Sequence, residues 1–125
     1  MTPSADNDHT DVKAEIDKLI SAQTSKADLV LMLGDVDGAR FASPADRKKR
    51  GLRFLRNAIE KVRDTICSNE FARLLGEDAS TQHKALAVAA TLDFLGTVGA
   101  ATASVLIVQI GLENVCADRW EQHVK

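Results

Sequence analysis

The stretch ALAVAATLDFLGTVGAATASVLIVQIGL, residues 85–112, decides the fold of this chain. Its only strongly polar residues are Asp93 and Gln109, so it either builds the core of a domain or enters a membrane. Residues 94–112 carry no formal charge over a length close to the ~20 residues that span a bilayer. Glycines, threonines and a serine offset much of their apolar contribution, so we favour a buried core over a membrane anchor.

Two glycines interrupt this stretch. Gly96 and Gly99 either divide it into two helices, near residues 81–96 and 100–116, or serve as packing positions within one long helix. Tyrosine is absent and aromatic residues are few, a composition that favours helix over sheet. We therefore expect a compact all-α bundle of four to six helices, with the apolar stretch as a long C-terminal helix or helical hairpin.

Capping residues mark the clearest helix elsewhere in the chain. Ser43 precedes Pro44 and Asp46, which predicts a capped helix start with proline in the first turn and a carboxylate at the positive end of the dipole. This helix continues to about residue 67. Its apolar residues alternate spacings of three and four and form a narrow seam made of Leu52, Leu55, Ile59, Val62 and Ile66.

Shorter helices are predicted around this one. A first helix is expected from Thr10 to near Ser25. Residues 25–28, beginning with Ser25, are a possible capping sequence for a second helix over residues 29–33, which would end at Gly34; this run could also form a strand. A third is expected from Ser68 to Gly76. The 125 residues fit one domain, with residues 1–9 as a flexible tail and residues 10–125 as the single helical domain.

The two cysteines and the first residues of the chain bear on its location. Cys67 and Cys116 lie far apart at the ends of apolar segments, which predicts reduced, at least half-buried thiols. The N-terminus has neither the positive start nor the apolar run of a secretory signal. We expect a cytoplasmic protein, or, if residues 94–112 insert, a membrane protein with its N-terminus in the cytoplasm.

Charge is strongly segregated along the chain. Residues 44–67, the basic segment, hold eight Lys/Arg and three Asp/Glu, a net charge of +5 that leaves −7 for the rest of a chain whose total is −2. The leading candidate for binding a partner or an anion is the set Arg47, Lys48, Lys49, Arg50, Arg53, Phe54 and Arg56. Alternatively, the cations are solvated or pair with the acidic remainder, within the fold or across a dimer.

Two aromatic residues leave alternatives open. Phe54 lies opposite the seam on the predicted helix, where an exposed ring would indicate a partner surface, but packing under a neighbouring helix is the commoner outcome and the one we favour. Trp120 could anchor the last turn to the core, lie at a partner interface or mark a bilayer boundary.

No catalytic or metal site emerges from the residue pattern. Asp35 and Asp37 resemble a fragment of a calcium loop that fails at both ends, so we interpret them as solvated turn carboxylates. Cys116 and His123 are too far apart for thiol catalysis. Asp93, within the apolar run, must be paired, protonated or directed to water. We expect no enzyme activity, cofactor, metal or small-molecule substrate.

The sequence thus favours a role in surface recognition. We expect a small regulatory or interaction module that binds a protein partner or itself through the basic segment. A tail-anchored or membrane-active protein is the alternative, with residues 94–112 inserted and the basic segment on anionic lipid. Nucleic-acid binding through the same cations is a third possibility, opposed by the slightly acidic overall charge.

Overall fold

The computed structural model describes residues 4–38, 41–76 and 79–124, with side chains from Asp11 onward. Within these residues the chain is helical and has no strand, so the predicted all-α bundle is confirmed, with seven α-helices where four to six were expected. Its α-helices are α1 Ser4–Ser21, α2 Lys26–Val36, α3 Pro44–Ile66, α4 Asn69–Leu75, α5 Thr81–Thr91, α6 Gly96–Ile110 and α7 Leu112–Cys116. Two short 3-10 turns, Asp93–Leu95 and Trp120–His123, complete the described elements.

Helix α6 lies at the centre of the bundle. It packs against α1, α2 and α5, and residues 99–107 are all buried. The apolar stretch is divided into helices rather than continuous: α5 ends at Thr91, the first 3-10 turn follows, and α6 begins at Gly96. Gly96 and Gly111 bound α6 with φ angles of +80° and +100°, a backbone region that glycine adopts readily.

The segment Asp93–Ile110 is long and apolar enough to cross a membrane by length and composition alone. In the bundle, 56% of this window is buried by other parts of the chain. Gln109, one of its two strongly polar residues, donates a hydrogen bond of 3.0 Å from Nε2 to the carbonyl oxygen of Thr24, between α1 and α2. Asp93 is exposed and directed to water.

Helices α2 and α3 cross at unusually short range because glycine occupies the contact on both sides. A Cβ atom on Gly51 would lie 2.0 Å from the carbonyl oxygen of Val30, and one on Gly34 would lie 2.3 Å from that of Arg47. The predicted end of α2 at Gly34 is therefore wrong, since this glycine serves interhelical packing and the helix continues to Val36. The helical alternative for residues 29–33 is confirmed.

The predicted serine caps are present. The hydroxyl oxygen of each accepts a hydrogen bond from the backbone N–H three residues later, at Ser25, Ser43 and Ser68, and Ser80 caps α5 in the same way. Helix α1 begins at Ser4, so Thr10 lies inside it rather than at its start. Residues 1–3 of the predicted tail lie outside the described residues.

The seam on α3 is broader than the apolar pattern predicts. Leu55, Ile59, Val62 and Ile66 are buried, whereas Leu52 is half-buried. Gly51 and Ala58 join the buried face. The apolar pattern is defined by large side chains, so it does not include these two small residues, although they lie on the same side of the helix.

A disulfide joins Cys67, at the C-terminal end of α3, to Cys116, at the end of α7. The prediction of reduced thiols is therefore wrong, and the two positions that are far apart in sequence have Cα atoms 5.7 Å apart. Trp120 lies next to this link in sequence and is only 2% exposed, which confirms that it anchors the last turn to the core. Since disulfides persist mainly in oxidising compartments, the cysteines no longer support a cytoplasmic location.

Candidate functional site

The candidate residues of the basic segment separate into those that stabilise the fold and those that face solvent. Arg47 belongs to the first group. Its Nε and Nη2 atoms each donate a 2.8 Å hydrogen bond to one carboxylate oxygen of Asp35. This two-pronged pair fastens α3 to α2. Asp35 is thus an ion-pair partner within α2, and its interpretation as a solvated turn carboxylate is wrong.

Arg56 also has a structural role. Its guanidinium donates a hydrogen bond to Glu121 and lies over the ring of Trp120, 5.9 Å from the centroid. The hydrogen bond that Arg56 donates to Glu121, and then the charge of that carboxylate, raise the pKa of Arg56 above its ordinary value. Together with the Arg63–Asp118 contact of 3.5 Å, this pair holds the C-terminal segment on α3.

The remaining cations of the set are exposed. Within the described part of the chain, Lys48, Lys49, Arg50 and Arg53 form no ion pair. Lys49, Arg50 and Arg53 share the outer side of α3, and we call them the cation row. The predicted pairing of cations with the acidic remainder therefore holds for Arg47, Arg56 and Arg63, but it leaves this row available to a partner.

A cleft of about 310 Å³ opens beside the cation row. It lies between α3, the 3-10 turn Asp93–Leu95 and the C-terminal end of α2. Its lining comprises Asp37, Arg53, Phe54, Asn57, Ala58, Lys61, Phe94 and Leu95. Two residues of the predicted set, Arg53 and Phe54, are thus brought into one concave site.

Phe54 combines the two roles considered for it. The ring is half-buried, with Cζ 3.8 Å from the position that a Cβ of Gly99 would take, and Val36 Cγ1 lies 3.5 Å from the same point. Phe54 and Val36 therefore both pack over α6 close to Gly99. The prediction that Phe54 packs under a neighbouring helix holds for its buried part, while its remaining surface lines the cleft.

Apolar side chains are exposed around this cleft. Phe94 is 49% exposed in its wall. Val36, which packs close to Gly99, is 37% exposed, and Val98, which precedes Gly99 in sequence, is 46% exposed. The Nζ atom of Lys61 lies 5.2 Å from the ring centroid of Phe94, within the range of a cation–π contact. The site thus combines a small apolar surface with a cationic border.

Asp37 is the only carboxylate in the cleft lining, and no nucleophile or paired carboxylates accompany it. No group of three or more His, Cys, Asp and Glu placed to hold a metal was found among the described residues. His123 is exposed, and Cys116, which the sequence already places too far from it for thiol catalysis, is in the disulfide.

Sequence reasoning missed Asp37, Asn57, Lys61 and Phe94 as members of this site. Phe94 lies 28 residues after the end of α3 and Asp37 lies seven residues before its start, so tertiary packing brings both of them to the cleft. Lys61 offered a signal, since it lies two helical turns after Arg53 on the same basic helix. No family model, curated protein or solved structure matches the chain, so the chemistry of the site is inferred from its geometry.

Proposed function

We propose that this chain is a small non-enzymatic interaction module that binds a protein partner, or a second copy of itself, through the outer side of α3 and the adjoining cleft. One observation carries the proposal: Arg53, a member of the unpaired cation row, lines the same cleft as Phe94, an aromatic residue that is 49% exposed. Apolar surface bordered by polar and charged groups is the usual composition of a protein interface.

The rigid support of this surface favours a recognition role. Helix α3 is held to α2 by the Arg47–Asp35 pair and by the close backbone contacts at Gly34 and Gly51. Its far end is tied to α7 by the disulfide. A surface that is already ordered loses little conformational freedom when a partner binds, which favours affinity.

Site-specific photocrosslinking tests this proposal. The photoreactive residue p-benzoylphenylalanine replaces Lys49 in one variant and Arg73, an exposed cation on α4, in the matched control. Irradiation in an extract of the source cells should give a discrete adduct from position 49 and none from position 73. The double change Arg50→Glu and Arg53→Glu should remove the adduct. Equal adducts from both positions, or an adduct that survives charge reversal, would contradict the proposal.

A membrane-associated role is the second candidate, favoured by the length and apolar composition of Asp93–Ile110. Insertion would require α6 to leave its contacts with α1, α2 and α5, which bury residues 99–107. Binding at the lipid surface through Phe94, Val98 and the cation row would leave the bundle intact. Binding to anionic lipid vesicles distinguishes this form of membrane binding from binding to a protein.

A further inference from the structure

We infer that the cleft beside α3 receives one bulky apolar side chain from an acidic segment of a protein partner. This inference rests on the proposed function and specifies its partner. The cleft volume of about 310 Å³ lies at the lower end of the range for small-molecule pockets. It therefore suits a single Leu, Ile, Met or aromatic side chain better than an extended ligand.

The cleft presents apolar surface on opposite sides. Phe54 and Ala58 contribute from α3, and Phe94 and Leu95 contribute from the 3-10 turn. A side chain inserted between these walls would cover the exposed part of the Phe94 ring. Aromatic and aliphatic anchors in such pockets carry most of the affinity at many protein interfaces.

The border of the cleft selects for negative charge in the partner. Arg53 and Lys61 outnumber the single carboxylate of Asp37 in the lining, and Lys49 and Arg50 extend the positive surface along α3. The planar guanidinium of Arg53 is suited to donate two parallel hydrogen bonds to a carboxylate. Asp or Glu residues flanking the inserted side chain would meet these cations.

The same features favour a peptide over a lipid surface. A bilayer presents a broad face, whereas the apolar surface here is concave, and binding to anionic lipid would bring Asp37 towards like charge. A peptide can place its apolar side chain in the cleft and direct its carboxylates away from Asp37. An acidic peptide with one apolar anchor therefore fits better than a vesicle surface.

The test is selection of a random twelve-residue peptide library displayed on phage against the purified, disulfide-bonded protein. Selected peptides should share one bulky apolar residue flanked by Asp or Glu. Fluorescence anisotropy of one synthetic selected peptide then gives its Kd for each variant. Arg53→Glu and Phe94→Ala should each weaken binding about tenfold or more, as expected for contacts at the centre of an interface. Far-ultraviolet circular dichroism checks that both variants keep the fold.

Matched controls come from α4, where Arg73 and Leu74 are an exposed cation and an exposed apolar residue away from the cleft lining. Arg73→Glu and Leu74→Ala should change the Kd less than about twofold. A third variant, Asp37→Asn, should strengthen binding, because it removes the one negative group in the cleft lining. A Kd that is unchanged or higher in Asp37→Asn would overturn the acidic assignment.

Other outcomes separate this inference from the proposed function. If crosslinks at position 49 persist in Phe94→Ala and no acidic peptide is selected, α3 binds a partner but the cleft inference is overturned.

Loss of a dimer in Phe94→Ala, measured by light scattering, would make a second copy the occupant. Binding to vesicles of 70% phosphatidylcholine and 30% phosphatidylserine that is lost in Arg53→Glu and Phe94→Ala, with no peptide selected, would make the site a lipid-binding surface. Failure of both crosslinking and selection would overturn both proposals.

Discussion

Gly34 and Gly51 determine how closely α2 and α3 approach each other. The hydrogen atoms on their Cα atoms face carbonyl oxygens of the opposite helix, where any larger substituent would overlap backbone atoms. Glycine within a helix ordinarily lowers stability relative to alanine by ~1 kcal/mol. At these two positions the tertiary contact reverses that preference.

Gly51→Ala should therefore destabilise the protein by about 1–3 kcal/mol, despite the higher helix propensity of alanine, because its Cβ would meet the carbonyl oxygen of Val30. Urea unfolding followed by circular dichroism measures the change. Asn57→Ala, at an exposed position of the same helix, is the control and should be neutral or slightly stabilising. Equal stability of Gly51→Ala and the wild type would show that the two helices separate without cost.

Thr102 provides a second prediction for a single residue. It is 1% exposed in α6, and its hydroxyl has no hydrogen-bond partner among the described residues. Thr102→Val keeps the shape of the side chain and removes the unpaired hydroxyl, so unfolding free energy should rise by about 1 kcal/mol. Urea unfolding followed by circular dichroism measures this change.

Ser104→Ala is the matched control for Thr102→Val. The hydroxyl of Ser104 is equally buried but donates a 2.9 Å hydrogen bond to the carbonyl oxygen of Ala101. Removing this hydroxyl should leave the free energy of unfolding unchanged or lower it. A lower stability of Thr102→Val than of the wild type would mean that the threonine hydroxyl has a partner in solution.

Among the elements, α3 is attached to the rest of the molecule at both ends and keeps its outer side exposed. Arg47 pairs with Asp35 near its start, and the disulfide from Cys67 follows its last residue. The cation row between these attachments faces solvent. The helix that carries the proposed contact surface is therefore fixed to the rest of the fold at both of its ends.

The disulfide gives a prediction at this scale. It joins residues separated by 49 positions, and the loop-entropy relation predicts that such a crosslink stabilises the folded state by up to ~4 kcal/mol. The double change Cys67→Ser and Cys116→Ser should lower the unfolding free energy by about 2–4 kcal/mol in urea.

A reductant provides the control for this prediction. The wild type in reductant should unfold at the same urea concentration as the double serine variant, and that variant should not respond to reductant. A wild type whose stability is insensitive to reductant, or a thiol titration that finds two free thiols in the untreated protein, would contradict the pairing.

The elements were more predictable from sequence than their contacts. Ser43, Pro44 and Asp46 act locally, so the start of α3 follows from three adjacent residues. The end of α2 depends on packing: Gly34 resembles a helix stop in sequence but lies at a helix crossing. The cation row could be predicted, because its residues are close together on one helix. The cleft could not be predicted, because Phe94 reaches α3 only through tertiary packing.

At the scale of the whole molecule, the placement of α6 bears on how the protein behaves in water. Its central residues are covered by α1, α2 and α5, so an apolar helix of nearly membrane-spanning length is accommodated without lipid. We expect the expressed, untagged protein to stay soluble without detergent and to elute as one species in size exclusion. Retention by membranes after an alkaline carbonate wash would contradict this expectation and support the anchor alternative.

The disulfide also makes the chain a partly closed ring. The ring runs from Cys67 to Cys116 and contains α4, α5, α6 and α7, including the buried centre of the bundle. A protease that cuts the backbone once between these cysteines opens the ring but releases no fragment, since the two pieces stay joined through sulfur. The linkage between α1–α3 and the C-terminal segment would therefore survive a single cut that separates α5 from α6.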